Sequence, residues 1–111
     1  MSWIIDSEAT NHITPHLYLF QTFVPVTRAC FITMPNGQSV QVKNIATVAL
    51  NGSIVLKDVL HVPDFHFNLL SATKLAKILS SNVVFTPTYC YLQDHLRNSQ
   101  YLAVYIWLMQ I

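Results

Sequence analysis

A mostly β domain is the fold class the sequence predicts: a small, mostly antiparallel β barrel or folded sheet of short strands with one short helix. Three observations predict it. Short apolar or alternating stretches recur between turn residues along most of the chain, which is the pattern of many short strands. The two glycines both follow asparagine, in Asn36-Gly37 and Asn51-Gly52, the pairing that tight hairpin turns prefer. One stretch, Ala72 to Leu79, carries helical periodicity behind a start signal. At 111 residues the chain is one domain with a single modest core.

The elements follow in order. Ser2 to Ile5 reads as a buried strand of large and β-branched residues, and Asp6 sits where that strand leaves the core. A carboxylate there has two readings. Partial desolvation suits it to acid/base work, or Asp6-Ser7 simply starts a turn, the side chain bonding nearby backbone N–H groups. Ile13 to Val26 reads as a loop, because its apolar spacing is irregular and Pro15 and Pro25 forbid a long helix. Ala29 to Met34 and Ser39 to Lys43 form a hairpin about Pro35-Asn36-Gly37. Ile45 to Leu50 is a third strand of this region, and Ser53 to Val62 a fourth, bent near Asp58. After a loop at Pro63 to Phe67, Asn68-Leu69-Leu70-Ser71 leads into the helix Ala72 to Leu79. Ser71 is its N-cap, Leu75, Ile78 and Leu79 share one face, and Leu69, Leu70, Leu75 and Ile78 read as core residues. Asn82 to Thr86 and Tyr89 to Gln93 are two more strands around Pro87.

Composition excludes several functions. Hydrophobic residues make up 52% and charged residues 10%, so exposed apolar surface calls for a partner to cover it. A formal charge of +1, with no basic run and no glycine-rich phosphate loop, gives no footprint for nucleic acid. No stretch reaches the roughly 18 apolar residues that span a bilayer. A polar, acidic segment follows Trp3-Ile4-Ile5 at once, so no signal peptide is visible and a cytoplasmic, intracellular setting is expected. Cys30 and Cys90 stand far apart and read as buried thiols in a reducing compartment rather than a disulfide. No cofactor is expected, and no metal either. His12 and His16 have helical ligand spacing, but Pro15 lies between them where no helix forms. His61 and His66 flank Pro63 without a compact Cys-x-x-Cys or a matching pair.

Asp6-Ser7-Glu8-Ala9-Thr10-Asn11-His12 resembles the Asp-Ser-Gly-Ala-Thr/Ser-x-His segment of the aspartic protease domain in copia-type retrotransposon Pol polyproteins. Met34-Pro35-Asn36-Gly37 is similar to that family's Leu-Pro-Asn-Gly turn. The run Leu56-Lys57-Asp58-Val59-Leu60-His61-Val62-Pro63-Asp64-Phe65-His66-Phe67-Asn68-Leu69-Leu70-Ser71-Ala72-Thr73-Lys74-Leu75 resembles its longest block, and Phe85, Cys90, Gln93 and Asp94 its closing strands. The resemblance covers residues 2 to about 94 and implies a retropepsin-like closed β-barrel over 1–94. Residues 95–111 depart from the family as an apolar tail foreign to the domain, one that could still pair as a last strand. The chain is accordingly expected to be a fragment of a decayed element.

Aspartic proteolysis needs two carboxylates sharing a proton around a water, one acting as base and the other donating to the scissile carbonyl. One Asp-Ser motif in so short a chain implies a C2 homodimer in which Asp6 of each copy forms the dyad and Ser7 bonds across the axis to support the loops. Met34, Pro35, Asn36 and Gly37 are then the candidate flap, closing over an extended polyprotein peptide bound as an added strand; an ordinary hairpin tip is the other reading. The main departure is Glu8, where the family has glycine. A left-handed conformation there would cost a residue with a Cβ roughly 1–2 kcal/mol, and a dimer would gather two Glu8 carboxylates near two Asp6 carboxylates. The expectation is a weak or inactive protease; Glu8 turned outward to solvent would preserve activity. The other function class is a non-catalytic β-barrel module for self-association or peptide binding.

Overall fold

The computed structural model describes residues 3–34, 37–50, 54–87, 90–94, 100–104 and 106–108. Their elements in chain order are β1 (Trp3–Asp6), β2 (Ile13–Thr14), a single 3-10 turn (Leu17–Leu19), β3 (Phe20–Pro25), β4 (Phe31–Thr33), β5 (Ser39–Gln41), β6 (Asn44–Ala49) and β7 (Val55–His61). β8 (Asn68–Ser71), α1 (Ala72–Leu79), β9 (Ser81–Phe85), β10 (Cys90–Asp94), β11 (Gln100–Val104) and β12 (Ile106–Leu108) follow. The class is mostly β, with one α-helix among the described residues. Among the described residues the strands form open sheets, and no sheet closes on itself. Two compact units divide the chain: His12–Asn68, and Met1–Asn11 with Leu69–Ile111.

In the unit His12–Asn68 the strand order is β2-β7-β6-β3. β2 runs parallel to β7, and β6 pairs antiparallel with both β7 and β3. The core side of this unit buries Val42, Ala46, Val48, Leu56, Val59 and Val62. A bulge sets the phase of β7. Ala46 faces Val59 and Val48 faces Leu56, so β7 carries one residue more than β6 across that step. Asp58 takes the left-handed conformation there, with φ 56°. As a result Leu56 and Val59 are both buried while Lys57 and Asp58 are both exposed, which strict alternation would forbid. The bend expected near Asp58 is this bulge.

β4 and β5 make a separate two-stranded antiparallel hairpin. Gly37 adopts φ +85° and donates its N–H to the Met34 carbonyl at 2.9 Å, while Met34 donates to the Gln38 carbonyl at 2.8 Å. That is the backbone geometry for which glycine carries no Cβ penalty. Pro35 and Asn36 lie outside the described residues, as does the second turn, Asn51-Gly52.

Ile13 to Val26 is not a loop. It contains β2, the 3-10 turn and the six-residue β3. The prolines do limit helix to one short turn, but Pro25 ends a strand at an open sheet edge, where a missing N–H is tolerated. Cys30 is exposed rather than buried, because it precedes a hairpin whose β4 residues Phe31 and Thr33 also face solvent. The Cys90 side chain lies outside the described set.

In the other unit, β1 lies between β12 and β8. β12 runs parallel to β1 with Trp3 opposite Ile106 and Ile5 opposite Leu108. β9, β10 and β11 form an antiparallel sheet in which β10 is central. The apolar tail thus supplies two strands. α1 occupies the predicted span, with Ser71 capping its start and Ser80, in the left-handed conformation, donating to the Ala76 carbonyl at its end. Leu75 is buried, but Ile78 is 56% exposed and is not a core residue. At about 100° per residue, Ile78 lies roughly 120° around the helix from the buried Ala72, to the side of the stripe. Among the described residues no helix is long and apolar enough to cross a membrane.

Candidate functional site: the Asp6 turn

β1 alternates toward the core, with Trp3 and Ile5 buried, and delivers Asp6 at its end. Asp6 is itself only 4% exposed. Its Oδ1 accepts the Glu8 N–H at 2.8 Å, which closes a turn of the type aspartate side chains favour. The carboxylate is withdrawn from solvent and organises the turn that follows, as the turn reading expects. Ser7 and Glu8 are exposed.

The backbone strain expected at Glu8 is not there. Among the described non-glycine residues, positive φ occurs at Asp58 and Ser80, and Glu8 is not one of them. The turn closes through the Asp6 side chain without a positive φ at Glu8, so a residue with a Cβ fits, and Glu8 is exposed.

A second bond pins the same turn. The buried Ser71 hydroxyl donates to the Ala9 carbonyl at 2.7 Å and accepts the Lys74 N–H at 3.2 Å. The cap role was legible from the sequence; the bond to Ala9, 62 positions away, was not.

The remaining polar residues of interest belong to the unit His12–Asn68. His12 is fully buried, and its carbonyl accepts the Leu60 N–H at 2.9 Å. Thr14 donates its hydroxyl to Asn68 Oδ1 at 2.6 Å and accepts the His16 N–H at 3.1 Å. His61, also buried, has its Nδ1 2.8 Å from Asn44 Nδ2 and its ring edge-on to Phe20 at 5.1 Å. An amide nitrogen only donates, so Nδ1 is the acceptor and the ring is neutral in this arrangement. Burial pushes the His61 pKa below its usual value, opposed in part by a hydrogen bond to the Pro15 backbone. His66 is exposed. Among the described residues no three metal-binding side chains converge. Of the flap candidates, Met34 is half-buried and Gly37 exposed.

A mostly β domain whose first described strand ends in a withdrawn carboxylate, and whose helix α1 starts from a serine-capped strand, defines a class that comparison makes specific. A family model described as "Pol polyprotein, beta-barrel domain" matches residues 3–78, and the chain belongs to that family. Among curated proteins it is 28% identical over 96 residues to the Retrovirus-related Pol polyprotein from transposon RE2 of Arabidopsis thaliana, covering 84% of this chain and 7% of that protein. It is 26% identical over 96 residues to the RE1 counterpart of the same plant, covering 84% of this chain and 6% of that protein. Its identity to the counterpart from transposon TNT 1-94 of Nicotiana tabacum is 32% over 77 residues, 66% of this chain and 6% of that protein. The chain therefore matches a small part of each Pol polyprotein and is similar to a fragment of one.

Proposed function

We propose that this chain derives from the aspartic endopeptidase domain of a retrotransposon Pol polyprotein and retains weak proteolytic activity or none. The supporting observation is Asp6, buried at the end of β1 yet tied into a short turn. One such carboxylate per chain cannot share a proton with a twin. Activity therefore requires a two-fold homodimer in which two Asp6 side chains hold a water between them, Ser7 supports the loops across the axis, and the Met34–Gly37 turn closes over a polyprotein peptide. The retropepsin-like closed barrel and an intracellular setting belong to the same reading. Glu8 is unstrained and exposed in the single chain, so the impairment in this reading belongs to the dimer alone, where two Glu8 carboxylates would join two Asp6 carboxylates around one axis; without that crowding activity persists.

The competing reading is a non-catalytic module for self-association or peptide binding. The edge strand β3 favours it, because Phe23 and Val24 are exposed there and an extended partner can add to such an edge. Peptide cleavage at acid pH, with sedimentation at matched micromolar concentrations, separates the two. The protease reading expects a dimer whose cleavage is slow or absent, rises with Glu8→Gly and is abolished by Asp6→Asn. A monomer, or cleavage indifferent to Asp6→Asn, overturns it.

A further inference from the structure

The Asp6 turn has little packing to hold it. Ser7, Glu8 and Thr10 are exposed, and Ala9 is only half-buried. Polar bonds set its shape instead. One is internal, from the Glu8 N–H to Asp6 Oδ1. The other comes from outside the turn, from the Ser71 hydroxyl to the Ala9 carbonyl. Ser71 is well placed to act as an anchor. It is fully buried, it ends β8, which lies beside β1, and it caps α1. A hydroxyl carries one donor and two acceptor sites, so Ser71 can give its proton to Ala9 while accepting the Lys74 N–H. Alanine or glycine could do neither, and an ionised aspartate could cap the helix but could not donate.

We propose that Ser71 is a positioning residue for the Asp6 turn: its hydroxyl clamps the Ala9 carbonyl and so fixes the direction of the Asp6 carboxylate against the start of α1. The proposal rests on the reading of Asp6 as the functional carboxylate. Ser71 acts through the turn and touches no reacting atom.

Amide hydrogen exchange on the full chain tests it, because the Glu8 N–H reports directly on the Asp6 carboxylate. Ser71→Ala should speed exchange at Glu8 about tenfold, the factor implied by losing the net contribution of one hydrogen bond. Ser71→Thr, which keeps a hydroxyl, should restore the wild-type rate. Faster exchange confined to the first turn of α1, with Glu8 unchanged, would reduce Ser71 to a helix cap and overturn the proposal; so would failure of the threonine variant to restore Glu8. If Ser71→Ala does not fold, the wild-type protein decides. A slowly exchanging Ser71 hydroxyl proton coupled to the Ala9 carbonyl supports the clamp, and a rapidly exchanging one overturns it. No step depends on cleavage, so an inactive chain leaves the clamp standing, and a failed clamp leaves the dyad reading to its own assay.

Discussion

β7 and β3 are both apolar strands of the same unit, and they have opposite fates. β7 sits between β2 and β6 and buries Leu56, Val59 and His61. β3 stands at the open edge, and of its six residues only Phe20 is even half-buried. Hydrophobic content alone does not decide burial; place in the sheet bears on it, although β7 itself exposes Val55 at its start. A central strand is covered on both sides by neighbours, whereas an edge strand meets solvent on its outer side unless a partner arrives.

The largest effect that would sharpen this contrast is truncation on β7. Leu56→Ala should cost about 2–5 kcal/mol in urea unfolding, as buried leucines do. Val24→Thr on β3 should stay within about 0.5 kcal/mol. Equal losses at the two positions would mean that β3 is covered in solution. A smaller effect is expected at the bulge. Asp58→Val places a β-branched residue at positive φ and should cost about 1–2 kcal/mol, while Asp58→Gly should not destabilise. Equal stability of the valine and glycine variants would break the account of how β7 is phased.

The narrowest effect is confined to one pH interval. The folded state depresses the His61 pKa, so the unfolded chain binds the proton more readily. His61 thus contributes stability that is fully present above its unfolded value of 6.5 and is lost as pH falls from there through its folded value. Protonation also removes the Nδ1 acceptor from Asn44. Denaturant titrations should show unfolding free energy falling over that interval in the wild type and a flatter profile in His61→Gln. Parallel profiles would locate the acid sensitivity elsewhere.

What could be read from the sequence follows the same division. The helix from Ala72 to Leu79, its Ser71 cap, the turn at Gly37 and the bend at Asp58 are written in local chemistry: a capping hydroxyl, an asparagine-glycine pair, and the polar pair Lys57-Asp58 inside an otherwise apolar strand. β3 was missed because alternation marks one-sided burial, and a strand exposed along nearly all its length has none to show. Ile78 misled because it is apolar near a helix end, though its side of the helix faces solvent. At the candidate site, the position of Asp6 at the strand's end was legible, and so was its capacity to start a turn. The relief of strain at Glu8 depended on how the turn closed, and the grip of Ser71 on Ala9 depended on the chain returning to its own beginning; neither has a local signature.

The parallel pairing of β12 with β1 carries a consequence for assembly. The margin of the strand that bears Asp6 is already occupied by the chain's own last described segment, residue for residue from Trp3 to Ile5. A second molecule seeking that margin must evict an intramolecular rival held at high effective concentration. Association along it would be an exchange reaction, slowed by the release of β12 and hastened by shortening the chain after Val104.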